Sequence, residues 1–399
     1  MSRTVILKTY AHVMSAYRNR ELRQALFDDG VVMQDVLINL HGEAHRARRR
    51  LENRLFRRDT FEHYERELFP SIIMETLEPH RSAGRAELVS LGHQLMMNLG
   101  ALSAGLDRPE GTPEETFRLY EFMMTFIEGA TIADYLGDRE ALEDRVRAAL
   151  VDFDVQFVRP SKQRRLRLLS ALERNEISES ELPKDVLTVL LRNVDQLALP
   201  DDVILRETAF FLLSGAHTTA TSFTRTMHRL LLHFTSHPED RERARSDRRF
   251  LQQAVHEVLR LEPPSPLRRR RAVASTIVGD AMTVDVDDMV DLDLVSANRD
   301  RDVFGATADE FDPHRLLPSD VAPWGTSFGT GMHACIGQDM AAGTLPDPDA
   351  STAAQLFGLV PVAIQAVLSM GVGMDPQNPP ELDVLTSRGY FKRYPVLLG

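Results

Sequence analysis

Cysteine occurs once in 399 residues, at Cys335, which excludes an internal disulfide and any metal site built from several thiolates. Lysine is almost missing, with Lys8, Lys162, Lys184 and Lys392 its only occurrences. The cationic side chains are therefore arginines, whose planar guanidinium groups pair with carboxylates in a bidentate way. No run of residues has the length and apolarity of a membrane span. Leu356–Met374 comes nearest, but Pro361 and Gln365 interrupt it, and it reads as a buried helix. Residues Met1–Met14 hold a short apolar patch without the long apolar core of a secretory leader. Lys and Arg number 47 against 59 Asp and Glu, a formal net charge of −12, so no global basic field is present to hold nucleic acid. These absences point to a soluble protein of a reducing cytoplasm.

What is present is ordinary globular material, 43% hydrophobic and 27% charged. Apolar residues recur at helical spacing over Glu43–Phe56, Glu62–Glu78, Glu87–Leu106, Thr116–Thr131 and Arg139–Phe157. Asp201–His233 predicts a very long helix interrupted at Gly215, and Arg249–Leu261 a further one stopped by Pro263 and Pro264. Ile277–Leu294 then alternates apolar and acidic residues as short strands do, and Ala297–Met332 is rich in loop residues. The expected architecture is mainly α with a minor β part, a single domain over residues 1–399.

The lone cysteine stands in Phe328-Gly329-Thr330-Gly331-Met332-His333-Ala334-Cys335-Ile336-Gly337. A thiolate that ligates haem iron needs close backbone approach, donors aimed at sulfur and a dry surround. Glycines at 329, 331 and 337 allow tight turns beside a flat ring, Phe328 can limit water access, and His333 can reach a propionate. A dinucleotide reading of Gly329-Thr330-Gly331-Met332-His333-Ala334 fails, because a loop rather than a strand precedes it. His41, Glu43 and His45 lack the spacing of a zinc peptidase helix.

The pattern F-x-x-G-x-H-x-C-x-G, filled here by Phe328, Gly331, His333, Cys335 and Gly337, resembles the haem-ligand loop of cytochromes P450. The resemblance implies the cytochrome P450 fold, haem b as cofactor and Cys335 as its iron ligand. Glu257 and Arg260 resemble the family's E-x-x-R pair, with Arg315 the expected third partner. His45 and Arg49 resemble its H-x-x-x-R, and Arg270 falls where a propionate-binding arginine usually sits. At least two of Arg268–Arg271 are expected to be solvated.

Ser214-Gly215-Ala216-His217-Thr218-Thr219 resembles the distal A-G-x-(D/E)-T-T. There Gly215 would leave room for O2 and let the helix open, and Thr218 would pass protons. His217 replaces the usual acid, as a proton relay, a substrate contact or a packing residue. Two regions depart from the family: a shortened N-terminus, and about 338–355, where Gln338–Ala342 and a loop with two prolines replace the expected helix.

The resemblance further implies a monooxygenase taking O2 and a small or medium lipophilic substrate. Candidate contacts are Val32, Met33, Ile38, Ala216 and Leu267. Electrons would come from a separate ferredoxin or flavodoxin with its reductase, docking in part on the arginines of Arg46–Arg50, with no nucleic acid or membrane partner. A peroxide-driven haem-thiolate enzyme and a non-enzymatic haem sensor or carrier are the alternatives.

Overall fold

The computed structural model describes residues 3–345 and 354–399. Its axis is the helix Asp201–His233, with the bounds the sequence predicts. The helix runs unbroken through Gly215, where an interruption is expected. A single glycine costs only about 1 kcal/mol in a helix, and packing on several sides outweighs that. The Thr218 hydroxyl donates back to the Ser214 carbonyl at 2.8 Å, and Thr219 to that of Gly215, so the backbone there keeps its partners. The helix Leu88–Ala104 lies alongside at close range: a Cβ at Gly92 would meet the Phe223 ring at 2.7 Å.

Two predicted helices run longer than expected, and each contains a widened turn. Arg58–His63 passes through a widened π turn, Tyr64–Leu68, into Phe69–Ala83. Arg139–Phe153 passes through Asp154–Val158 into Arg159–Glu173. Each widened turn is followed by a proline, Pro70 or Pro160. Proline lacks an N–H and its ring crowds the carbonyl one turn back, so widening that turn lets the helix continue rather than stop.

The main sheet has four strands in the order Thr4–Leu7, Met289–Asp293, Leu267–Ala272, Leu22–Gln24, the first pair parallel and the others antiparallel. Alternation along Leu267–Ala272 sorts the arginine run. Arg269 pairs with Asp291 directly across the register at 2.7 Å, and Arg271 reaches Asp28 and Asp287. Arg268 and Arg270 line the internal cavity described below.

The helix Gly42–Glu52 is fastened to the long helix by a buried charge cluster. Arg48 donates to Glu207 at 2.6 Å and to the Asp35 carbonyl at 2.7 Å, while Glu207 also accepts from the Leu37 N–H. Arg48 is thus an internal anchor, and the expectation that it shares a surface for an electron carrier is corrected; Arg50 is exposed. Both Glu52 carboxyl oxygens are buried with no hydrogen-bond partner among the described residues. Burial, then the neighbouring Glu207, raises the Glu52 carboxyl well above its ordinary value of 4.5. The folded chain therefore keeps a proton that the unfolded chain releases, and stability falls as pH rises above that value, by up to about 1.4 kcal/mol per pH unit. Glu52→Gln is expected to remove this dependence: its urea midpoint and that of the wild type diverge as pH rises toward 8, the variant being the more stable.

Candidate functional site

Between the long helix and the Cys335 loop lies an internal cavity. The loop is held from behind by Asn298, which is fully buried. Its side-chain oxygen accepts from the Thr326 N–H at 2.7 Å and hydroxyl at 2.8 Å, and its amide donates to the Arg260 carbonyl at 2.8 Å. Ser327 donates to the Leu259 carbonyl at 2.6 Å. Within the loop the Cys335 N–H donates to the Phe328 carbonyl at 2.9 Å, and the Phe328 ring packs edge-on against Trp324. Gly331 has φ +74°, and a Cβ there would stand 2.7 Å from the Tyr17 carbonyl oxygen, so glycine is needed to seat the loop on the helix Tyr10–Arg18.

The Cys335 sulfur lies deep in the protein yet opens into the cavity. Burial pushes its thiol up, while a hydrogen bond from the Gly337 N–H, Arg268 and Arg49 pull it down. Gly337 also lines the cavity, and a Cβ there would meet nothing within 4 Å, so open space lies where the side chain would be.

The second predicted group, Glu257, Arg260 and Arg315, comes together completely. Glu257 pairs with Arg260 at 2.7 Å and with Arg315 at 3.0 Å. Arg260, with no exposure, also donates to the carbonyls of Asn298 and Ala308, and Arg315 to those of Phe304, Thr307 and Glu310. The neighbouring His314 turns instead to Asp240 at 3.0 Å.

His45, Arg49, Arg268, Arg270 and His333 meet at the cavity wall. Arg49 donates to the Ala334 carbonyl at 2.9 Å, and Arg270 stacks over Tyr17. The rings of His45 and His333 stand 4.3 Å apart. Both ring nitrogens of His45 and Nε2 of His333 are buried with no partner among the described residues. Burial, then Arg49, pushes His45 down to about 4; burial, then His45 and Arg270, pushes His333 down to about 2. Burial likewise brings Arg270 down to about 10. Groups so short of anionic partners fit a ligand bringing carboxylates, as the propionates of a haem would. Arg268 was missed by the sequence reading; strand alternation around Arg270 was the signal that would have found it.

Across the cavity the long helix offers Gly215, Thr218 and His217, with Met33, Ile38, Phe210 and Phe211 among the other walls. Val32, Ala216 and Leu267, expected as substrate contacts, do not line it. Val32 and Ala216 are fully enclosed in the core, and Leu267 sits in the sheet opposite Asp293. Tyr390 and Arg388 do line it, and no sequence signal marked them. Of the atypical region after Cys335, Gln338–Ala342 is a short helix whose end is clasped by Gln252 and His256, both donating to the Ala342 carbonyl at 2.9 Å. Pro346–Ala353, most of the expected loop, lies outside the described residues. The chain continues into the helix Leu359–Leu368, where the sequence predicts a buried one.

The family model "Cytochrome P450" matches residues 156–345. Pulcherriminic acid synthase of Bacillus subtilis (strain 168) is 26% identical over 325 residues, 78% of this chain and 71% of that protein. The vitamin D(3) 25-hydroxylase of Pseudonocardia autotrophica is 29% identical over 175 residues, 44% of this chain and only 40% of that protein. Among solved structures, Sorangium cellulosum So Ce56 cytochrome P450 260B1 superimposes with a TM-score of 0.72 over 98% of this chain and 89% of that one, at 19% identity. The family model, the curated relatives and the fold all point to the cytochromes P450, and they support haem b as the cofactor and an oxidoreductase of the monooxygenase class. Among the described residues, no helix is long and apolar enough to cross a membrane.

Proposed function

We propose that this protein inserts one oxygen atom of O2 into a small or medium lipophilic substrate, with Cys335 as the iron ligand. The observation that carries this reading is that the Cys335 sulfur, Gly215 and Thr218 face one shared cavity with His45, Arg49, Arg268, Arg270 and His333 together on its wall. The bound haem supplies the oxygen activation and the electron transfer. The chain's own residues bind, orient and deliver protons. His45, Arg49, Arg268, Arg270 and His333 would hold the propionates. The Gly337 N–H bonds to the Cys335 sulfur and favours its thiolate. Phe328 and Trp324 shield the loop, and the apolar walls exclude water.

Thr218 is exposed within the cavity, and its hydroxyl holds the Ser214 carbonyl at 2.8 Å. A hydroxyl so placed accepts and passes a proton by rotating away from that carbonyl. Thr218→Ala is expected to keep substrate binding and electron consumption but to lower the product formed per electron pair several-fold, read as product against NADPH consumed with a ferredoxin and its reductase.

Such an enzyme, working in the cytoplasm, takes its electrons from a separate ferredoxin or flavodoxin. Arg46, though exposed, is already paired with Glu43 and Arg48 is internal, which leaves Arg50, among the described residues, as the exposed and unpaired cation of that helix for an acidic carrier. Arg50→Glu is expected to slow reduction by ferredoxin severalfold at low salt and to flatten its salt dependence. An unchanged rate would move the docking surface elsewhere. The reading as a whole is tested by the absorption of the reduced protein under carbon monoxide. A strongly red-shifted Soret band supports it, and a band at the imidazole-haem position overturns it.

A further inference from the structure

Resting on the monooxygenase reading, we propose that His217 accepts a hydrogen bond from the substrate, so that preferred substrates carry a hydroxyl or N–H donor on an otherwise apolar frame. His93 Nδ1 lies 2.8 Å from the Val89 carbonyl oxygen, an atom that only accepts, so this nitrogen carries the proton. Burial keeps the His93 ring neutral, which leaves its Nε2 bare. His217 Nδ1 stands 3.2 Å from that bare nitrogen, with the two ring planes within 21° of each other, and must donate to it. His217 is neutral as well, since burial, then His93 and the cations Arg388 and Arg225, disfavour its charged form. Its Nε2 is therefore an acceptor, buried and with no partner among the described residues.

Several neighbouring donors are already committed: Arg388 donates through Nε to Asp134 at 2.7 Å and through Nη1 to the Tyr390 hydroxyl at 3.3 Å. The Tyr390 ring packs edge-on to His217 at 5.0 Å, but its hydroxyl donates to the Pro264 carbonyl at 2.9 Å. The hydroxyls of Thr218, Thr219, Ser103 and Thr131, all lining the cavity, each donate to a carbonyl of their own helix. His217, itself only 9% exposed, thus brings to an apolar cavity an acceptor that the protein leaves unanswered. A buried acceptor discriminates strongly for ligands that bring the missing donor and against those that do not. His93 acts through His217, as a positioning residue that fixes which nitrogen is bare.

The test uses the haem-loaded protein and a panel of cyclic saturated alcohols, each beside its methyl ether and its parent hydrocarbon, with affinity read from the substrate-induced Soret shift. The ether keeps the oxygen but lacks the donor. Alcohols are expected to bind about tenfold tighter than their ethers. His217→Phe should erase that preference while leaving hydrocarbon affinity near the wild type, and His217→Gln, which restores an acceptor, should recover part of it. Nitrogen NMR of histidine-labelled protein should show His217 protonated at Nδ1 alone, and His93→Phe should lose that single tautomer. Alcohol and ether bound alike, or a proton on His217 Nε2, overturns this inference alone. A protein that takes up no haem overturns the monooxygenase reading and this one with it.

Discussion

Glu257→Ala is expected to destabilise the protein by about 3–5 kcal/mol and to release haem on gel filtration. Glu257 is the carboxylate between two enclosed guanidinium groups, Arg260 at 2.7 Å and Arg315 at 3.0 Å, and it also accepts from the Asp312 N–H at 3.2 Å. Removing it strands two buried cations that cannot neutralise at any accessible pH. The loss spreads along a definite path. Arg260 and Arg315 hold the carbonyls of the Asn298–Glu310 connection, and Asn298 holds Thr326 behind the Cys335 loop. The substitution therefore acts at the site without touching it. Glu257→Gln keeps the shape but not the charge and is expected to lie between alanine and wild type. Urea unfolding and the haem absorbance retained after filtration measure both effects. A loss below about 1 kcal/mol would show the cluster to be a dispensable surface-type pair.

Cys335→Ser is expected to have the opposite profile, a large functional loss with little effect on folding. The sulfur opens to the cavity, and the hydrogen bond it receives comes from the Gly337 N–H, which a serine hydroxyl can also accept. Stability of the haem-free protein should change by no more than about 0.5 kcal/mol, the usual range for a substitution that breaks no packing. A serine hydroxyl does not ionise near neutral pH, so the variant would lack the thiolate that the proposed iron ligation requires. The red-shifted band under carbon monoxide and product formation should vanish together, while the urea midpoint of the haem-free protein stays put. Retention of the red-shifted band in the serine variant would remove Cys335 from the iron.

The residues of these two predictions were readable in the sequence, because each belongs to a pattern of fixed spacing. Phe328, Gly331, His333, Cys335 and Gly337 stand close together in the chain, as do Glu257 and Arg260 on a single helix turn. The long helix was equally legible, since its apolar periodicity runs from Asp201 to His233 with few breaks. What misled was local punctuation. Gly215 reads as an interruption, yet packing carries the long helix past it, and widened turns ahead of Pro70 and Pro160 keep two other helices running.

The sequence by itself determined the resemblance to cytochromes P450, the mainly helical class, and the Phe328–Gly337 and Ser214–Thr219 patterns, because those rest on neighbours in the chain. The tertiary structure alone decided where the charged and polar residues point. It buried Arg48 against Glu207, 159 positions away, and sent Arg268 and Arg270 to the cavity while Arg269 met Asp291. It withdrew Ala216 into the core, and it joined His93 to His217 across 124 residues. An arginine or histidine has the same letter whether it is solvated, paired or facing a cavity. Those fates differ by the cost of desolvation, and that cost is set by which distant groups the fold brings within hydrogen-bonding reach.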